Sequence, residues 1–129
     1  MIMNIAIIGG RDFDNYELLK QTLLSAPELD FNTNGTVYSV VSGGAKGTDS
    51  LAERFAEEYG LNIIVFPADW KRYGRGAGII RNKEIISKSD IVFAFWDGKS
   101  KGTKSSIDLA KKQNKQLTII YYGEETELE

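Results

Sequence analysis

Three glycine-rich segments hold the residues whose types and spacing could do chemistry. Residues 9–11 read Gly-Gly-Arg, residues 42–49 read Ser-Gly-Gly-Ala-Lys-Gly-Thr-Asp, and residues 97–103 read Asp-Gly-Lys-Ser-Lys-Gly-Thr. Glycine lets backbone N–H groups approach a ligand, and a helix that begins after such a loop adds unpaired donors and partial positive charge. The segments therefore predict a phosphate or pyrophosphate cradle. Its candidate residues are Gly9, Gly10, Arg11, Ser42, Gly43, Gly44, Ala45, Asp49, Gly98, Ser100, Gly102 and Thr103. Their spacing differs from the phosphate-loop motif ending in Gly-Lys-Ser/Thr, which disfavours a kinase-like ATPase.

A fourth segment, residues 66–82, combines aromatic side chains with cations and glycines. It is interpreted as a long loop leading into a helix, and long loops in small domains are usually functional. Trp70 and Tyr73 could stack on a base, while Arg81 could bind phosphate bidentately. Asn82 could hydrogen-bond a sugar or a base edge. In the alternative interpretation Trp70 packs over the sheet end and the arginines are solvated.

Composition limits the available reactions. The 129 residues include no cysteine and no histidine, so disulfides, thiolate metal sites and histidine bases are excluded, and no metal site is expected. Candidate catalytic acids are Asp49, Asp69 and Asp97. The alternatives are helix capping for Asp49 and turn formation for Asp97. Trp96, which follows an apolar run, faces either the ligand or a core or dimer contact.

Charge is balanced overall but unevenly distributed. The net charge of −2 gives no general attraction to nucleic acid. Cations nevertheless cluster in the fourth segment, and acidic residues collect at 124–129. The longest apolar runs are of strand length and the first residues lack a signal-peptide pattern. These features predict a cytoplasmic protein without a membrane partner.

The elements that must position these residues follow from hydrophobic patterning. Continuous apolar runs at residues 5–8, 37–41, 63–66, 91–95 and 117–121 predict strands covered on both faces. Helical periods lie between them: a helix opened by a capping box at Asp14, one ending at Gly60, one over residues 79–86, and a shorter, more polar one near 107–110. Residues 30–36 read as a loop. Alternating strands and helices predict one α/β domain over residues 1–129, a doubly wound sheet of about five parallel strands flanked by helices. The glycine-rich loops should then converge at the sheet's carboxyl edge.

These motifs resemble the YspA-like branch of the SLOG superfamily, in family order and over nearly the whole chain. They lie at residues 9–13, 41–53, 66–70, 77–82 and 94–103. The superfamily takes in the LOG phosphoribohydrolases, the DNA-processing protein DprA/Smf and SLOG sensor domains of defence systems. The resemblance implies a Rossmann-like fold, a nucleotide or nucleotide-derived ligand rather than a tightly held cofactor, and a homo-oligomer, often a dimer.

One departure from LOG enzymes bears on activity. Their motif Pro-Gly-Gly-x-Gly-Thr-x-x-Glu supplies a glutamate that assists cleavage of an N-glycosidic bond. The matching position here is Ser106, which cannot serve as that carboxylate, although Gly102 and Thr103 keep the phosphate-binding half. The leading hypothesis is therefore a sensor or sequestering protein for a nucleotide derivative. The alternatives are a nucleoside-phosphate or NAD-type N-glycosidase and, less favoured, DprA-like binding of single-stranded DNA.

Overall fold

A computed structural model, which describes residues 1–32 and 35–123, contains a five-stranded parallel sheet in the order β3-β2-β1-β4-β5. The strands are β1 (Ile2–Gly9), β2 (Val37–Ser42), β3 (Asn62–Val65), β4 (Ile91–Trp96) and β5 (Gln116–Tyr121). The helices are α1 (Tyr16–Ser25), α2 (Thr48–Glu58), α3 (Trp70–Tyr73), α4 (Ala77–Lys88) and α5 (Lys101–Lys112), with a 3₁₀ turn at Gly74–Gly76. The predicted Rossmann-like α/β architecture is confirmed.

The central strands are apolar on both faces because helices cover both faces. On one side Ile5 and Ile7 of β1 pack with Leu19 of α1 and Phe55 of α2. On the other side the alternate strand residues Ala6, Ile8 and Val92 pack with Ile86 of α4 and Ile107 of α5. Side chains of successive strand residues point to opposite faces, so one continuous apolar run supplies both layers.

The strand order reverses at β1, which pairs with β2 on one side and with β4 on the other. In such open sheets the crevice outside the carboxyl ends, where the strand order reverses, is the usual ligand position. The loops after β1, β2 and β4 all leave from this crevice.

Four local predictions are wrong. β3 is an edge strand rather than a strand covered on both faces, and Ile63 and Val65 are 38% and 45% exposed. The N-cap of α1 is Asn15, whose side chain accepts from the Leu18 N–H at 3.0 Å, and not Asp14.

The other two concern helix extent. The predicted long loop at 66–82 is mostly helical, since α3, the 3₁₀ turn and α4 run on from Trp70. The fourth predicted helix, α5, has 12 residues and is as long as α4. The predicted acidic end at 124–129 and residues 33–34 of the predicted loop lie outside the described residues. None of the helices formed by the described residues has the length and apolar character needed to cross a bilayer.

Candidate functional site

A cleft of about 500 Å³ lies above the carboxyl ends of β1, β2 and β4. Its walls come from the three glycine-rich loops and from one face of α4. The polar and glycine residues that line it are Gly9, Gly10, Arg11, Asp12, Lys46, Asp49, Arg75, Gly78, Arg81, Asn82, Ser100, Gly102, Thr103 and Ser106, with Ala45 and three isoleucines completing the wall. The structure thus brings the three loops together at one edge of the sheet.

The loop after β1 is fastened to the start of α2 by backbone contacts. The Gly10 carbonyl accepts from the N–H of Thr48 at 3.2 Å and from its buried hydroxyl at 2.9 Å. Gly47, the N-cap of α2, has a φ of +72° and packs so closely that a Cβ there would lie 2.6 Å from the Gly10 carbonyl oxygen. These glycines hold two loops against each other, which is a different use from contacting a ligand.

The loop after β2 folds around Asp49. Its carboxylate accepts from the Ala45 N–H at 3.1 Å, so Asp49 lies in the first turn of α2 and is not the N-cap. Burial raises the pKa of Asp49, although the Ala45 N–H and the Arg81 guanidinium oppose this shift. A carboxyl group that faces a cleft and has a raised pKa is suited to exchange a proton or to accept a hydrogen bond from a ligand hydroxyl.

Arg81 connects α4 to the same loop. Its Nη1 donates to the Gly43 carbonyl at 2.8 Å and its Nε donates to the Asn82 side chain at 2.9 Å. The guanidinium has five N–H donors, so these two contacts leave others for an anion in the cleft. Arg81 therefore shapes the loop and adds positive charge to the cleft.

The loop after β4 is organised by its own side chains. Asp97 accepts from the N–H groups of Lys99 and Ser100, both at 2.8 Å, and these bonds lower the pKa of Asp97. Ser100 then caps α5 by accepting from the Thr103 N–H. The Trp96 indole donates to the Ser100 carbonyl at 3.0 Å, and its ring centroid lies 5.6 Å from that of Tyr121. Asp97 thus forms a turn, and Trp96 supports the loop from outside the cleft lining.

Ten of the predicted residues line the cleft: Gly9, Gly10, Arg11, Ala45, Asp49, Arg81, Asn82, Ser100, Gly102 and Thr103. The others lie outside that lining: Ser42, Gly43, Gly44, Asp69, Trp70, Trp96 and Gly98, as well as the candidate acid Asp97. Ser42 is buried and donates to Glu53 at 2.7 Å, and Asp69 caps α3. Trp70 is 54% exposed on α3.

Sequence reasoning missed several lining residues, notably Asp12 and Lys46, together with Arg75, Gly78 and Ile79 near the start of α4. It named Ser106 only as the position that matches the LOG glutamate. Arg75, Gly78, Ile79, Asn82 and Ile85 recur at helical spacing. That periodicity was the available signal, but it is visible only if the helix is taken to begin before Ile79.

The cleft combines excess positive charge with an apolar surface. Four cations line it, Arg11, Lys46, Arg75 and Arg81, against the carboxylates of Asp12 and Asp49. Ile8, Ile79 and Ile85 provide the apolar part. Such a surface suits an organic anion whose charged group meets the cations and whose body lies on the isoleucines. The described residues contain no group of three acidic side chains placed to hold a metal ion.

Comparisons of the amino-acid sequence with known proteins found a family and a relative. Residues 3–73 match the model of the YspA, cpYpsA-related SLOG family, which is more than half of the chain. The chain is 35% identical over 105 residues to the Gene 61 protein of Mycobacterium phage D29, covering 77% of this chain and 81% of that protein.

Two solved structures share the fold. DNA processing protein A from Streptococcus pneumoniae superposes with a TM-score of 0.72 at 17% identity, over 95% of this chain and 51% of that one. DNA processing protein A from Helicobacter pylori, solved to describe its single-stranded DNA binding mode, gives a TM-score of 0.60 at 26% identity, over 94% of this chain and 66% of that one. The chain therefore spans between half and two thirds of these neighbours' lengths.

Proposed function

This chain belongs to the YspA, cpYpsA-related SLOG family, and we propose that it binds a nucleotide or a nucleotide-derived small molecule in the cleft. The observation that carries the proposal is the excess of four cations over two carboxylates in a cleft formed by glycine-rich loops and α4 at the switch point of the sheet. The cleft volume of about 500 Å³ lies within the range of small-molecule sites. Phosphate would lie against the loops after β1 and β4, and the base or sugar against the isoleucines.

Binding without turnover is the form of this proposal that the lining residues favour. Ser106 is 4% exposed and lines the cleft one turn after Gly102, so a hydroxyl stands where the LOG phosphoribohydrolases carry their glutamate. We therefore propose a sensor or a sequestering protein in the cytoplasm.

A nucleotide panel tests the proposal directly. Mono-, di- and cyclic nucleotides and NAD-like molecules are each added to the purified protein, and the melting temperature is recorded. A ligand at 100 times its Kd adds about 2.7 kcal/mol, which corresponds to a rise of roughly 10 °C for a chain of this size. If no member of the panel changes the melting temperature, nucleotide binding is rejected. If free base appears in the same mixtures, the protein is an N-glycoside hydrolase rather than a binding protein.

Single-stranded DNA is the second candidate ligand, favoured by the Helicobacter pylori neighbour and by one surface beside the cleft. Trp70 and Tyr73 of α3 are 54% and 41% exposed. Lys71 and Arg72 stand next to them, and Arg75 follows at the cleft. Exposed rings among cations can stack bases while the cations neutralise phosphates.

Salt dependence and one substitution test this candidate. Affinity for a labelled single-stranded oligonucleotide should fall steeply as salt rises, because counterions are released at each phosphate contact. Trp70→Ala should cost roughly 1–3 kcal/mol of binding free energy through lost stacking. Tyr121→Ala is the matched control, since Tyr121 is exposed to the same extent, 54%, on the far edge strand β5. Salt-independent binding, or equal losses in the two variants, would exclude this mode.

A further inference from the structure

Asp12 stands at the cleft next to Arg11, yet its carboxylate is bound by a residue that directly follows the edge strand β5. The Tyr122 hydroxyl donates to Asp12 Oδ1 at 2.8 Å across 110 residues of sequence. Both Arg11 and Asp12 line the cleft, and both are exposed. Within residues 1–32 and 35–123, the Arg11 guanidinium forms no ion pair or hydrogen bond.

Tyr122 is itself held firmly in place. Its N–H donates to the Trp96 carbonyl at 3.0 Å, just beyond β5. Its ring packs on Phe13 at 4.7 Å, and Phe13 in turn stacks on Phe95 at 4.9 Å. The backbone of Gly10 lies close to this hydroxyl. A Cβ at Gly10 would collide with the Tyr122 hydroxyl oxygen and would lie 2.8 Å from Asp12 Oδ1.

In this contact the Tyr122 hydroxyl donates to the Asp12 carboxylate, which follows the unpaired Arg11 in the sequence. A tyrosine hydroxyl is protonated at neutral pH, and burial and the Asp12 carboxylate raise the pKa of Tyr122 further. A carboxylate without this donor would be free to pair with Arg11 or Lys46, which also line the cleft. It would then compete with a phosphate group for those cations.

We infer that Tyr122 is a positioning residue of the cleft, which binds the Asp12 carboxylate and so leaves the Arg11 guanidinium free for an anionic ligand. This inference rests on the proposed function, because it assigns Arg11 to the phosphate group of the ligand. It makes a residue beyond the last strand a determinant of anion affinity without any contact to the anion.

The test compares Tyr122→Phe, Asp12→Asn and the double variant with the wild-type protein. Tyr121→Phe is the matched control, since it removes a hydroxyl from the neighbouring exposed tyrosine. The first readout is the Kd for inorganic pyrophosphate by calorimetry. The second is the rate at which phenylglyoxal modifies Arg11, followed by peptide mass spectrometry, which requires no ligand.

Tyr122→Phe should weaken pyrophosphate binding roughly three- to fivefold, the worth of one exposed ion pair, and should slow modification of Arg11. Adding Asp12→Asn should restore both, because the competing charge is gone. Tyr121→Phe should change neither.

Two results would overturn the inference: both readouts unchanged in Tyr122→Phe, or losses that Asp12→Asn does not restore, which would indicate a purely structural role. Failure of the wild-type protein to bind pyrophosphate would instead count against the proposed function. The Arg11 modification rates still decide in that case whether Tyr122 keeps the guanidinium free.

Discussion

Gly47→Ala is expected to lower the free energy of unfolding by about 3 kcal/mol and to abolish nucleotide binding. The backbone of Gly47 has a φ of +72° and a ψ of −123°, a sparsely populated conformation that costs an alanine roughly 1–3 kcal/mol. The new Cβ would also lie 2.5 Å from the Arg11 carbonyl carbon, and forcing an extra carbon into packed atoms costs about 1–3 kcal/mol. The collision pushes the β1 loop away from α2 and opens the cleft.

Gly60→Ala is the matched control for this prediction. Gly60 follows the other end of α2 with a φ of +66°, and a Cβ there would meet nothing within 4 Å. Gly60→Ala should lower the free energy of unfolding only through the strained backbone conformation, by roughly 1 kcal/mol, and should leave nucleotide binding intact. Urea unfolding with an unchanged slope measures both variants. Equal destabilisation of the two, or wild-type nucleotide affinity in Gly47→Ala, would show that the contact between the loops does not shape the site.

Arg81→Met is expected to weaken binding of a phosphate-bearing nucleotide by about 2–3 kcal/mol, roughly 30- to 150-fold. The substitution removes a charged donor from the cleft and also the 2.8 Å bond that fixes the Gly43 carbonyl. Hydrogen bonds to charged groups are worth about 1.5–3 kcal/mol each. The nucleotide affinity of Arg81→Lys should lie between those of the wild-type protein and Arg81→Met, because a single ammonium cannot reproduce the planar fork of guanidinium donors.

Arg72→Met controls for the loss of charge alone. Arg72 lies on α3 with its guanidinium carbon 5.2 Å from the centre of the Tyr73 ring, outside the cleft lining. Its substitution should change nucleotide affinity less than twofold. If calorimetry gives Arg81→Met and Arg72→Met the same affinity, Arg81 does not contact the ligand's charge.

The parallel sheet and the glycine-rich loops at its carboxyl edge could be predicted from the sequence because both depend on local patterns. Apolar runs without alternation, such as residues 91–95, are typical of strands buried on both faces. Glycine-rich turns between a strand and a helix must leave from the same edge of a parallel sheet. Strand order is not local, however, and so the exposed edge position of β3 could not be foreseen.

The sequence also could not show which glycines line the cleft and which pack against other parts of the protein. Gly47 and Gly43 carry the same sequence signal as Gly102, yet the first packs against the β1 loop and the second against Arg81. Only Gly102 of the three lines the cleft. Likewise, the side chain of Asp97 accepts hydrogen bonds from the N–H groups of Lys99 and Ser100 in its own loop. The 3₁₀ turn that carries Arg75 and the start of α4 that carries Ile79 were concealed by the glycines around them.

Phosphate is proposed to bind where the loops after β1 and β4 converge. The most direct measurement is a crystal structure of the protein grown with a nucleotide that raises its melting temperature. We expect phosphate oxygens within about 3 Å of backbone N–H groups at Gly10–Arg11 and at Gly102, with Arg11 or Arg81 as a further donor. A nucleotide bound elsewhere on the surface, with the cleft filled only by solvent, would contradict the claim.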